Sequence, residues 1–192
     1  MNKLSPEQLL FKEYNNFKKS LNFLEKKKLK NFNKLCEFSL KAIKNGNKII
    51  FFGNGGSAAD AQHLAAELVV KYKKKRKAIP AISLSTDTSI ITSIGNDFGF
   101  KYIFSRQIKA LGKKGDIAIA ITTSGNSQNL IEATISANSL GLNTFCLSGN
   151  NGGKLKKFVN FPLIFPSKIT SITQVMEILV GQVLCEYLEL NS

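Results

Sequence analysis

His63 and Glu67 stand four residues apart, inside a stretch from Ser57 to Leu68 whose pattern predicts a helix. Side chains at that spacing share one helix face. Just upstream, an apolar run from Ile49 to Phe52 stops at Gly53-Asn54-Gly55-Gly56-Ser57. Ser57 is a favoured N-cap type, and Asp60 three positions on completes a capping-box-like pair. A strand, a glycine turn and a helix start together make a cradle for an anion, because free N–H groups and the helix dipole converge there. The imidazole and the carboxylate would lie just beyond the held group. A second loop, Thr122-Thr123-Ser124-Gly125-Asn126-Ser127, also follows an apolar run and precedes a predicted helix. Its four hydroxyls, with free N–H groups, suit a phosphate or sugar hydroxyls without an arginine.

Two other loop chemistries fit less well. Gly53-x-Gly55-x-x-Ala58 formally matches a dinucleotide fingerprint, but no acidic residue ends the next strand at the required offset, and Asp87 comes later. A nucleotide P-loop is excluded, because no Gly-Lys-Ser/Thr follows.

The elements that must position these loops are legible from periodicity. From Ser5 to Lys44, apolar residues from Leu9, Leu10, Phe11 and Tyr14 through to Ile43 recur at three- and four-residue steps, which predicts two helices. Their apolar faces are too broad for a free surface and predict packing on a partner subunit. Gly46 reads as the C-cap of the second. The chain then alternates: strand 48–52, helix 57–74, strand 78–84 entered through Pro80, and a short helix to Ile94 capped within Ser85-Thr86-Asp87-Thr88. A turn over 95–100, helix 102–111, strand 116–121, a helix to Leu140, strands 144–147 and 161–165, and a closing helix 171–189 complete it. Short apolar strands separated by helices predict parallel pairing in an α/β three-layer sandwich with a central, mostly parallel sheet. In such sheets ligands bind at the carboxyl ends of strands where the winding reverses.

At 192 residues the chain reads as one domain, with helices over 1–46 and the sandwich over 47–192. No apolar run approaches the ~20 residues that span a bilayer, and Met1 to Gln8 has no signal-peptide core. Cys36, Cys146 and Cys185 are odd in number and widely spaced, which predicts reduced thiols in a cytoplasm. The net charge of +14 includes the runs Lys26-Lys27-Lys28 and Lys73-Lys74-Lys75-Arg76-Lys77. Only Arg76 and Arg106 are arginines, and neither run interleaves aromatics for base stacking. The charge therefore reads as solvated lysine surface that steers an anionic substrate, not as a nucleic-acid interface.

Taken together, Gly53-Asn54-Gly55-Gly56-Ser57 with His63 and Glu67, then Gly95-Asn96-Asp97-x-Gly99-Phe100 with Phe104-Ser105-Arg106, then Thr123-Ser124-Gly125-Asn126-Ser127, resemble the SIS (sugar isomerase) family. Within it the closer likeness is to the phosphoheptose isomerases, over nearly the whole chain. The resemblance implies a flavodoxin-like SIS fold and interconversion of sedoheptulose 7-phosphate with D-glycero-D-manno-heptose 7-phosphate, for surface polysaccharide. It implies a cytoplasmic homotetramer with sites at subunit interfaces and one zinc per subunit. Ser57, Thr122, Thr123, Ser124 and Ser127 match the family's sugar-phosphate contacts. Asn54, Gly55, Gly56, Asn96 and Asp97 match other substrate-lining positions. Glu67 matches the catalytic carboxylate, which also lines the substrate, and His63, Glu67 and Gln174 match metal ligands. Gln174 matches a substrate position as well.

The departures lie in the closing helix. The family shows Gln-Glu-x-His with a second histidine eight residues after the glutamine; here the run is Gln174-Val175-Met176-Glu177, and the eighth residue on is Gln182. Gln182 thus occupies the position of a metal ligand and second acid/base, although a carboxamide exchanges no proton near neutral pH. Either Asp97 or Glu177 would then supply the acid, or metal binding is weakened. Ser171-x-x-Gln174 also reads as a plain capping box. A second reading is a non-catalytic SIS adaptor that binds the replication initiator DnaA, since such relatives lack the same histidine. They break the glycine pair that Gly55 and Gly56 keep here.

Overall fold

The computed structural model describes residues 4–26 and 29–192. Lys27 and Lys28 of the first lysine run, and Met1 to Lys3 of the N-terminal segment, lie outside the described residues. The order of elements is α1 (Pro6–Lys26), α2 (Lys30–Lys44), β1 (Ile49–Gly53), α3 (Gly56–Val69), β2 (Ala81–Ser83), α4 (Thr88–Asp97) and α5 (Ser105–Leu111). Then come β3 (Ile117–Thr122), α6 (Gln128–Ser139), β4 (Asn143–Ser148), β5 (Phe161–Ile164) and α7 (Thr170–Asn191), with 3₁₀ turns at 100–102 and 155–157.

The five strands form one sheet in the order β2-β1-β3-β4-β5, and every pairing is parallel. This is a doubly wound order whose winding reverses between β1 and β3. Every residue of β1 and β3 is buried, as their unbroken apolar sequence requires when helices cover both faces. Alternation along each strand splits the core in two. Ile49, Phe51, Ile117, Ile119, Ile121, Phe145 and Leu163 face Leu35 of α2, Leu64 and Leu68 of α3, and Met176, Val180 and Leu184 of α7. Ile50, Phe52, Ala118 and Ala120 face Ile94, Ile108, Leu130 and Ala137 on α4, α5 and α6. The register sets Phe51 beside Ile119, Ile119 beside Phe145, and Phe145 beside Phe161. Phe38 of α2 closes that row, 6.3 Å from the Phe145 ring and 5.3 Å from Phe161.

Several predicted boundaries move. α3 stops at Val69, well short of Lys74, because the basic run is held as a loop by the chain's far end. Glu189 of α7 accepts the N–H groups of Tyr72, Lys73 and Lys74 at 2.9, 2.7 and 3.0 Å. Arg76 turns inward and donates to the carbonyls of Glu67 and Leu68 at 2.8 and 2.7 Å, capping α3. Strand β2 keeps only three residues. Helix α4 starts on the predicted Asp87 cap, whose carboxylate accepts from Ile90 at 2.8 Å, but it runs through Gly95 and Asn96 to Asp97. Asn45 is the C-cap residue of α2, and Gly46 follows it at φ +78°. On α1, Leu9, Leu10, Phe11 and Tyr14 are exposed.

Candidate active site

The two loops emerge side by side from the carboxyl ends of β1 and β3, at the reversal of winding. Gly53 pairs with Ile121 across that junction. A Cβ on Gly53 would come within 2.6 Å of the Ser57 carbonyl oxygen and 2.9 Å of the Ile121 carbonyl oxygen, so only glycine lets helix α3 start this close to the strand. The cap of α3 is Gly55, at φ +56°, with no side-chain hydrogen bond. Ser57 is therefore not the N-cap that its type predicted; it lies one residue inside the helix and is 4% exposed. The capping-box pairing with Asp60 does not form either: Asp60 Oδ2 is buried without a partner.

The second loop is pinned from outside. Gly125, at φ +66°, packs so closely on the Gly152 carbonyl that a Cβ would collide with it. Its own carbonyl accepts from Leu155 at 2.9 Å, and Asn126 Oδ1 accepts from Lys154 at 3.1 Å. Within the loop, Thr122 Oγ1 accepts from Gly125 at 3.3 Å and Ser124 Oγ from Asn126 at 3.2 Å. Thr122 is buried, Thr123 and Ser127 are half-buried, and Ser124 is exposed. Ser127 caps α6 by position but makes no side-chain cap bond. Asn54 ties the two loops together through a reciprocal amide pair with Asn129 of α6, at 3.0 and 2.8 Å. The N–H groups of Gly55, Ser124 and Ser127 have no acceptor among the described residues. Donors free at adjacent strand ends are what a phosphate needs.

Helix α7 closes the site from the third side. The Gln174 carboxamide lies where a Cβ on Gly56 would be, so it rests on the backbone of the first loop. Thr173 packs on Gly149 beside the Thr123 carbonyl. The capping box predicted for Ser171 and Gln174 is absent: Ile169 is the cap residue, and the Ser171 hydroxyl donates to Glu13 of α1 at 3.3 Å. One turn further, Glu177 is 0% exposed and neither of its oxygens has a hydrogen-bond partner. Burial first, and the Asp60 charge second, push its carboxyl up to about 8. The Thr122 N–H and the Ser57 hydroxyl face it and pull the other way, but neither closes a well-aligned hydrogen bond. Asp60 is itself raised by burial, against the pull of His63. In sequence Asp60 figured only as a capping partner, and no signal marked it as part of a site. For Glu177 there was one: a carboxylate on the stripe that Thr173, Met176, Val180 and Leu184 bury.

His63 Nε2 and Glu67 Oε1 are 2.9 Å apart on the outer face of α3, with 48% and 21% of their side chains exposed. The predicted pairing therefore forms. Gln182 is half-buried beside Gly181, whose Cα packs on Leu64, and Cys185 one turn on reaches the Leu64 carbonyl at 3.8 Å. That stretch of α7 thus lies along the turn of α3 that carries His63 and Glu67. Asn96 and Asp97 are exposed at the end of α4, where Asn96 Nδ2 donates to Asp97 Oδ1 at 2.8 Å. Within this chain they bond to each other and not to the two loops. The metal set named from sequence was His63, Glu67, Gln174 and Gln182. One imidazole, one carboxylate and two carboxamides fall short of the imidazole, thiolate and carboxylate sets that hold zinc. Among the described residues no group of three His, Cys, Asp or Glu converges. The residues present do not fit the zinc ion that the resemblance implies.

Residues 13–149 match the SIS domain family. The phosphoheptose isomerase of Aquifex aeolicus is 54% identical over 148 residues, 77% of this chain and 78% of its own. That of Helicobacter pylori is 44% identical over 187 residues, 95% of each chain. Among solved structures, phosphoheptose isomerase GmhA from Neisseria gonorrhoeae superposes with a TM-score of 0.89 at 34% identity, covering 96% of this chain and 99% of its own. A phosphoheptose isomerase from Francisella tularensis gives 0.93 at 28% identity, over 97% and 100%. The two solved structures share this fold, and none of these relatives supports the DnaA-binding adaptor reading. The chain therefore belongs to the phosphoheptose isomerase family of SIS-domain proteins.

Proposed function

We propose that this chain is a sugar-phosphate isomerase that converts sedoheptulose 7-phosphate to D-glycero-D-manno-heptose 7-phosphate. The observation that carries the reading is the junction of β1 and β3, where both loops present free donors for a phosphate. The phosphate sits on the N–H groups and hydroxyls of Ser57, Thr122, Thr123, Ser124 and Ser127, with Asn54, Gly55 and Gly56 forming the near wall. Glu67 takes a proton from C1 of the ketose; the electron pair forms the C1–C2 double bond, and the C2 oxygen takes the charge. Return of a proton to C2, gain of one by the C2 oxygen and loss of one from the C1 hydroxyl give the aldose. His63, the chain's only histidine, moves protons at the two oxygens. Gln182, beside the turn of α3 that carries His63 and Glu67, acts as an N–H donor to the developing oxyanion, the role a carboxamide can fill where it cannot exchange a proton.

Self-association as a tetramer belongs to the same reading, supported by Leu9, Leu10, Phe11 and Tyr14 exposed on α1. Asn96 and Asp97 would then line a neighbouring subunit's site; light scattering on the purified protein reads the oligomer directly. Cys36, Cys146 and Cys185 are free and buried, which supports work in a reducing cytoplasm. Incubation with sedoheptulose 7-phosphate is expected to yield the heptose aldose. Failure to form it, with and without added zinc, would overturn the assignment.

A further inference from the structure

We infer that Glu177 is a positioning residue for the phosphate grip, its buried carboxyl turning the Ser57 hydroxyl toward the ligand. The inference rests on the reading of Ser57 as a phosphate contact. Both Glu177 oxygens are buried and unpartnered, while the Ser57 hydroxyl and the Thr122 N–H face them. An isolated carboxylate in such a place is strongly disfavoured, and a phosphate dianion above it adds a second like charge. The carboxyl therefore stands neutral under the ligand and has a proton to give. Donated to Ser57 Oγ, that proton leaves the serine's own hydrogen free to point at a phosphate oxygen. If Glu177 loses the proton, the direction reverses: the serine donates inward, the grip loses a donor, and a negative charge appears beneath the phosphate.

The surrounding groups agree with this. From α3 the Asp60 carboxylate faces Glu177 and favours its neutral form. From β4 the only titratable neighbour is the Cys146 thiol, pushed up to about 12 by burial and so uncharged. No lysine or arginine among the described residues bonds to the Glu177 carboxyl. Thr122 turns its N–H toward the carboxyl from the end of β3, so one carboxyl faces the root of both phosphate loops.

Calorimetric titration of the full-length protein with inorganic phosphate at pH 7.5 and 9.5 tests this, because the probe is largely dianionic at both. Wild type is expected to bind about fivefold to tenfold more weakly at the higher pH. Glu177→Gln keeps a neutral N–H donor, and its affinity should change less than about twofold between the two. Glu177→Met removes the donor and should bind about fivefold more weakly than wild type at pH 7.5, as should Ser57→Ala. Equal pH responses in wild type and Glu177→Gln would overturn the inference; so would wild-type affinity in a folded Glu177→Met. Phosphate binding needs no turnover, so an inactive wild type that still shows these shifts would sink the isomerase assignment alone. An active wild type without them would sink the role of Glu177 alone.

Discussion

Two buried carboxyls sit at opposite ends of the same sheet, each 0% exposed, and they are treated in opposite ways. At the amino end Asp116, just before β3, is fully paired. Its oxygens accept from the Asn47 amide at 3.0 Å, the Lys48 N–H at 3.1 Å, the Lys48 ammonium at 2.6 Å and the Lys113 N–H at 2.9 Å. Burial pushes its pKa up, but the Lys48 ammonium and these N–H groups together outweigh burial and hold it below the usual range. At the carboxyl end Glu177 has none of this and is pushed up to about 8. Asp116 is a clasp: it fixes the start of β1 to the start of β3, and its charge is satisfied within the chain. Glu177 lies where the chain leaves donors and acceptors open. An unsatisfied carboxyl beside two loops with free N–H groups marks the end of the sheet that awaits a ligand.

The largest expected effect is at Glu67. Glu67→Gln should lower kcat by about 10² to 10⁴-fold with KM little changed, read in steady-state kinetics. The two carboxyls should next separate by pH. Glu177 binds its proton more tightly folded, at about 8, than an unfolded glutamate near 4.3, so its stabilisation is complete at low pH and is lost as pH rises through about 8. Urea titrations should show wild type losing about 4 kcal/mol relative to Glu177→Gln between pH 5 and pH 9. Asp116 has the opposite sign: its contribution is present above the ordinary aspartate value and is lost as acid protonates it. Asp116→Ala should lower stability by about 3 kcal/mol at pH 7, because four donors lose their acceptor, while the folded enzyme keeps its kcat. Gln182→His adds the imidazole that the donor set lacks and should tighten zinc binding about tenfold or more by calorimetry. Asp87→Ala should cost only about 1 kcal/mol, the value of one N-cap bond.

The amino-acid sequence exposed the frame of this molecule more fully than its site. β1 and β3 are unbroken apolar runs that only a doubly covered sheet accommodates, and the loops that follow them carry their chemistry in residue type. The His63–Glu67 pair needed only helical spacing. What sequence missed depends on contacts between distant segments. The end of α3 is set by Glu189, more than a hundred residues away, and the real cap of α3 is Gly55, whose positive φ lies outside the β-region usual for an N-cap. Ser171 found Glu13 in place of a local cap because α1 passes by. The meaning of Glu177 appears only once α7 is laid between the two loops. α7 also lies beyond residue 149, where the SIS match ends.

The most direct test of the account is the reaction itself, run in deuterium oxide with sedoheptulose 7-phosphate and followed by NMR. The account predicts D-glycero-D-manno-heptose 7-phosphate carrying solvent deuterium at C2, formed by wild type and not by Glu67→Gln. No aldose from wild type, or an undiminished rate in Glu67→Gln, would contradict it.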